Sequence, residues 1–261
     1  MARYIQRHSL QTRITHAVVA LSCIWLMISG TFVFVPKLAQ IAGGDVMHFM
    51  RASHRIVGSI LIIVPLVSAI SAPQGFKRFV AKYTYKWDKD DKEWMLKFVP
   101  YMLGPKRVHM PDQKEEKSGQ VVADGALIIG VILMALSGAG LWIAIDLAAA
   151  PALIQVLRLV HDIVFILLVV FAIAHIYLGA GVFQPYRGTK RLMWGDGMVE
   201  ESDALYHWGK WAREEIEKGN VVELPEGVSK SDAKRAIAKF QRDARREAKA
   251  EQLKKKAGRK F

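Results

Sequence analysis

Charge vanishes from four stretches of the chain and crowds into the rest. Ala17 to Pro36, Ile56 to Phe76, Gly125 to Ile145 and Ile163 to Tyr186 contain no Asp, Glu, Lys or Arg. Each is about the ~20 residues long that a bilayer crossing needs. None carries the polar stripe that a core helix of a water-soluble protein turns to solvent. The pattern predicts four transmembrane helices over about 14–36, 52–73, 121–145 and 153–183, forming an all-α integral membrane four-helix bundle within residues 1–195. The first apolar run exceeds the ~7 to 15 residues of a signal-peptide core and ends in no small-x-small cleavage pattern, so it is expected to be retained. Pro65 removes one helical hydrogen bond and is expected to kink the second span.

The polar remainder sets the orientation. Of 261 residues, 37 are Lys or Arg against 24 Asp or Glu, a formal net charge of +13. Arg3, Arg7 and Arg13 precede the first span, many lysines and arginines fill the 74–117 link, and Arg187, Lys190 and Arg191 follow the fourth span. The Pro36 to Met50 connection holds only Lys37, and the Asp146 to Pro151 connection holds no basic residue. By the positive-inside tendency both termini are expected on the cytoplasmic side of a bacterial or archaeal inner membrane. The 74–117 link reads as a solvated connector, with docking of a cytoplasmic partner as the other reading. Beyond it, 196–228 reads as a partner-docking segment and 229–261 as a basic helical tail with Ser231 as candidate N-cap. The tail's charge suits anionic headgroups or an acidic partner; nothing points to nucleic acid.

Ionisable side chains at membrane depth call for a functional reading. His161 and His175 share the fourth helix, 14 residues apart. That is about 3.9 turns and roughly 21 Å of rise, so they share a face at two depths. His16 begins the first span level with His175, and His54 begins the second level with His161. Two facing imidazoles suit the axial ligation of a haem enclosed in a helical bundle, and there are two such pairs. The single cysteine, Cys23, excludes an internal disulfide, a Cys-ligated cluster and a C-x-x-C-H haem attachment, leaving non-covalent haem b. Arg55 and Arg158 are candidate partners for haem propionates or simply snorkel to the interface. Gly58, Gly179 and Gly181 allow close approach near the histidines. His8, His48, His109 and His207 read as surface residues.

R-I-T-H at Arg13 to His16, R-A-S-H-R-I-V-G at Arg51 to Gly58, S-G-Q at Ser118 to Gln120, L-R-L-V-H-D at Leu157 to Asp162 and A-H-I-Y-L-G at Ala174 to Gly179 together resemble the di-haem cytochrome b (gamma) subunit of membrane-bound formate dehydrogenases. That family lies in a wider group with hydrogenase and thiosulfate reductase anchors. The resemblance runs to about Glu217. It implies two b haems, on His54 with His161 (outer) and on His16 with His175 (cytoplasmic side). It also implies a menaquinone site from an Asn-x-Gly-Gln segment and the last haem ligand. Gly119, Gln120 and His175 carry over to that site; Lys117 stands where the Asn is expected. Tyr206 to Trp211 is similar to the family's His-His-Pro-x-Trp stretch. The implied partners are an iron–sulfur subunit and a molybdenum- or tungsten-type catalytic subunit.

The reading is an electron-transfer anchor that passes electrons from the iron–sulfur partner to menaquinone and performs no primary substrate chemistry itself. Three alternatives stay open: a quinol-oxidising anchor of a hydrogenase or a thiosulfate- or polysulfide-type reductase; a proton or ion transporter with titrating histidines; and a purely structural anchor. Transport predicts acidic partners within the spans and repeat symmetry, neither evident in the sequence.

Overall fold

The computed structural model describes residues 1–71, 77, 80–104, 106–179, 181 and 186–257. The remaining positions, which include the expected ends of the second and fourth spans and of the basic tail, lie outside the described residues. Among those described, four helices are long and apolar enough to cross a membrane: α1 (Leu10–Phe34), α2 (Pro36–Ser71), α4 (Ser118–Asp146) and α5 (Pro151–Gly179). Their outward faces carry exposed Ile, Leu, Val and Phe along their whole length, for example Ile63, Leu66, Leu136 and Leu167, as lipid contact requires. The protein is an all-α membrane bundle.

Local chemistry sets the boundaries. The Ser9 hydroxyl accepts from Thr12 N–H and starts α1. Proline opens both returning helices, Pro36 in α2 and Pro151 in α5, where its missing N–H costs nothing. The α4 to α5 turn is so tight that Ala148 takes a positive φ of 50°. Pro65 lies inside α2 with the backbone helical there, and α2 breaks at Gly43 (φ 79°, ψ 172°), a conformation glycine adopts freely.

The 74–117 link is more than a connector. It contains α3 (Lys89–Leu103), opened by a reciprocal capping box between Asp88 and Asp91. Trp94 and Tyr101 are buried, and α3 packs on the start of α4. Three short strands, unexpected from the sequence, form a head at the end where α1 begins. β1 (Ala2–Gln6) lies between β2 (Met198–Glu200) and β3 (Val221–Leu224), antiparallel to both, with Ile5 opposite Val199 and Val221. Alternation along β1 divides the head in two. Ile5 faces a cluster from α6 (Arg191–Trp194), α7 (Glu201–His207) and α8 (Gly209–Glu217), including Leu192, Trp208 and Trp211. Tyr4 faces Met198, Val222 and Ile237, the last from the tail helix α9 (Lys230–Ala257). The tail is helical as expected, but its first turn is capped by Ser229, whose hydroxyl accepts from Asp232 N–H, rather than by Ser231.

Candidate functional site

The spanning helices pack as two antiparallel hairpins, α1 with α2 and α4 with α5, and direct contacts between the hairpins are sparse. Both histidine pairs face each other across that seam. His16 of α1 and His175 of α5 have ring centroids 6.4 Å apart. His54 of α2 and His161 of α5 are also 6.4 Å apart. A metal about 2 Å from one nitrogen of each ring needs centroids roughly 6 Å apart, so both pairs have the spacing of axial ligands.

Hydrogen bonds orient the rings of the outer pair, near the two short turns. Ser29 donates to Trp25 C=O (2.8 Å), which leaves its oxygen to accept from His54 Nδ1 at 2.8 Å. Ser137 repeats the device, donating to Leu133 C=O (2.7 Å) and facing His161 Nδ1 at 2.9 Å. With Nδ1 protonated, the lone pair of each ring sits on Nε2, as a ligand requires. A glycine follows each serine. A Cβ on Gly138 would lie 3.1 Å from His161 Cε1, and one on Gly30 would lie 3.5 Å from His54 Cε1, so the helix backbone comes close to each imidazole. The two serines and two glycines escaped the sequence reading. Their signal was a Ser-Gly pair followed 24 or 25 residues later by histidine, twice.

The inner pair, beside the head, has a different setting. His175 Nδ1 faces Asp124 Oδ1 at 3.5 Å. Asp124 Oδ2 in turn accepts from Lys82 Nζ at 2.5 Å, and Lys82 also reaches Glu116 at 3.3 Å. Burial pulls the Lys82 pKa down, but Asp124 and Glu116 outweigh it and hold the ammonium above its ordinary value. His16 Nδ1 is buried with no hydrogen-bond partner among the described residues, and the Trp194 ring stands edge-on to it at 5.9 Å. An acidic partner therefore does lie inside a spanning helix, contrary to expectation. Asp124 precedes the charge-free stretch by one residue, but α4 starts six residues earlier.

The residues implied for a quinone lie at the start of α4. Gly119 is covered by Trp94, whose ring would stand 2.5 Å from a Cβ placed there. The Gln120 Oε1 is buried and has no protein partner among the described residues, an acceptor open to a ligand hydroxyl. Lys117 is buried, with its ammonium 4.4 Å from the Tyr186 ring and 4.3 Å from that of Trp208. Burial, and then Arg7, push its pKa well below the ordinary lysine value. His207, read from sequence as a surface residue, is buried against Tyr186, Tyr206 and Trp208. Its pKa is pushed down to about 2 by burial and by Lys117. The misreading has a plain cause: Tyr206 and Trp208 flank His207 in sequence, but the ring that stacks on it, Tyr186, comes from a distant segment. Arg55 lies 5.3 Å over the Trp142 ring, and both it and Arg158 are exposed without an acidic partner among the described residues.

Four apolar helices that bring histidines together in two facing pairs define a membrane-bound b-type cytochrome, and the residues present fit haem b. The sequence model of the prokaryotic cytochrome b561 family matches residues 7–196, well over half of the chain, and the chain belongs to that family. No curated protein matches it. The family match supports the cytochrome b reading without selecting the formate dehydrogenase subunit within it.

Proposed function

We propose that the protein is the di-haem anchor of a respiratory oxidoreductase, passing electrons between an iron–sulfur subunit and a quinone. His54 and His161 would hold the outer haem, and His16 and His175 the inner one. The observation that carries the reading is the pair of 6.4 Å imidazole separations, each bridging the two hairpins. Haem supplies reversible one-electron exchange when bound.

The chain's own groups then divide the work. Ser29 and Ser137 fix the tautomer of the outer ligands. The two sites lie at different depths, because His161 and His175 are 14 residues apart on one helix, roughly 21 Å of rise. At the inner end Gln120, Gly119 and His175 would receive the quinone, menaquinone by family resemblance, with Gln120 Oε1 accepting a hydrogen bond from a hydroxyl of its reduced form. Arg55 and Arg158 would meet haem carboxylates at the outer end. We take formate as the primary substrate from the same resemblance, oxidised on a molybdenum- or tungsten-type subunit. By the positive-inside tendency we take both termini to lie on the cytoplasmic side of the inner membrane, and the electron flow we propose runs inward to the quinone.

Haem content by pyridine haemochrome, beside a dithionite-reduced minus oxidised spectrum, tests this directly. Two b haems per chain are expected, and His161→Ala should lose the outer one while keeping the inner. Folded protein made with ample haem yet containing none would overturn the reading. Menaquinone added to the reduced protein should reoxidise both haems; no reoxidation would remove the quinone from it.

A further inference from the structure

The two histidine pairs match in spacing but not in partners. In the outer pair both Nδ1 atoms meet neutral serine hydroxyls that are themselves committed to backbone carbonyls. In the inner pair His175 Nδ1 faces a carboxylate, and that carboxylate is clamped by Lys82, which is held from its other side by Glu116. Lys82 precedes α3 and Glu116 ends the link, so the link builds the clamp and its contact with α4 positions it. Nothing in a lipid-facing helix needs a carboxylate at this depth. Asp124 is held at a considerable desolvation penalty, and the spanning-helix side chain it faces at 3.5 Å is His175.

We infer that Asp124 is the positioning residue of the inner site: it holds His175 with Nδ1 protonated and, through the carboxylate–imidazole contact, lowers the reduction potential of the iron that His175 would ligate. This rests on the haem reading above. A carboxylate partner makes an imidazole a stronger electron donor than a hydroxyl partner does, and so favours the oxidised metal. The carboxylate contact thus makes His175 a stronger donor than His54 or His161, whose Nδ1 atoms meet serine hydroxyls. The link from Lys82 to Glu116 sets that difference, since it supplies the cation that keeps Asp124 charged and in place.

The test compares the full-length protein with Asp124→Asn and Asp124→Glu, by haem count and by redox titration followed optically. The inner haem is assigned as the one remaining in His161→Ala. Asparagine keeps the size and the acceptor but removes the charge. With two haems bound, the Asn variant should show the inner haem about tenfold more reduced at a fixed potential, an upward shift of about 59 mV for one electron, with the outer haem unmoved. Asp124→Glu should restore the original direction. Loss of the inner haem in Asp124→Asn but not in Asp124→Glu would also support the inference. An unchanged inner potential in a haem-replete Asn variant, or equal loss of haem in both variants, would overturn it alone. Absence of haem from the unsubstituted protein would overturn the underlying reading and this inference with it.

Discussion

Ser137 shows how one hydroxyl can decide a ligand. It is buried in α4, gives its proton to Leu133 C=O and so can only accept from His161. Ser137→Ala leaves the imidazole N–H without an acceptor, a loss of about 1 kcal/mol for the bond and more if the donor stays dry. The outer haem should bind about tenfold or more weakly, as losing a second partner of a ligating histidine does, while the inner haem is untouched. Haem titration of the apoprotein measures this, and equal weakening at both sites would show that the serine acts on packing instead. The four histidines were legible in the sequence because the helical rise converts 14 residues into depth. The serines and Asp124 were not, because a serine in an apolar run looks like any small helix residue. Only the packing of α1 on α2 and of α4 on α5 brings Ser29 to His54 and Ser137 to His161.

At the scale of elements, apolar length announced the four spans, since a bilayer demands it whatever the fold around them. The strands had no such requirement to announce them. β1 is five residues long, and its partners lie nearly 200 or more residues away. The tail helix was legible in composition, but its anchorage was not: Ile237 and Phe240 seat its first turns against Met198, Val222 and Leu224, and Gln241 donates to Asp196 C=O. The rest of α9 is dominated by charge and has no comparable apolar seat. Ile237→Ala should therefore cost about 2 to 5 kcal/mol at this seat and release α9 without disturbing the spans. Limited trypsin digestion would show faster cleavage after the basic residues of α9, with haem content unchanged; an unaltered cleavage rate would mean that the head holds the helix by other contacts.

In the whole molecule, the membrane bundle and the head meet through a cluster of aromatic rings and cations. The Arg7 guanidinium lies 4.9 Å from the Trp208 ring and 4.7 Å from that of Trp211, and pairs with Glu115 across the link at 3.5 Å. Lys117 and His207 are buried beside it, and both are disfavoured as cations. The unfolded chain therefore binds protons that the folded head resists, so the stability of this junction rises with pH. For His207, with an ordinary pKa of 6.5 and a folded value of about 2, its share is fully present above about pH 6.5. It is lost progressively as pH falls toward the folded value, at up to about 1.4 kcal/mol per pH unit. Trp208 and Trp211 report on the same place. Denaturant titration of the detergent-solubilised protein, followed by tryptophan fluorescence, should give a head transition whose midpoint falls between about pH 7 and pH 5. His207→Phe keeps the ring against Tyr186 but removes the titrating nitrogen, so its midpoint should depend less on pH. Parallel pH dependences in the two proteins would show that the acid sensitivity of the junction arises elsewhere, with Lys117 then the residue to replace.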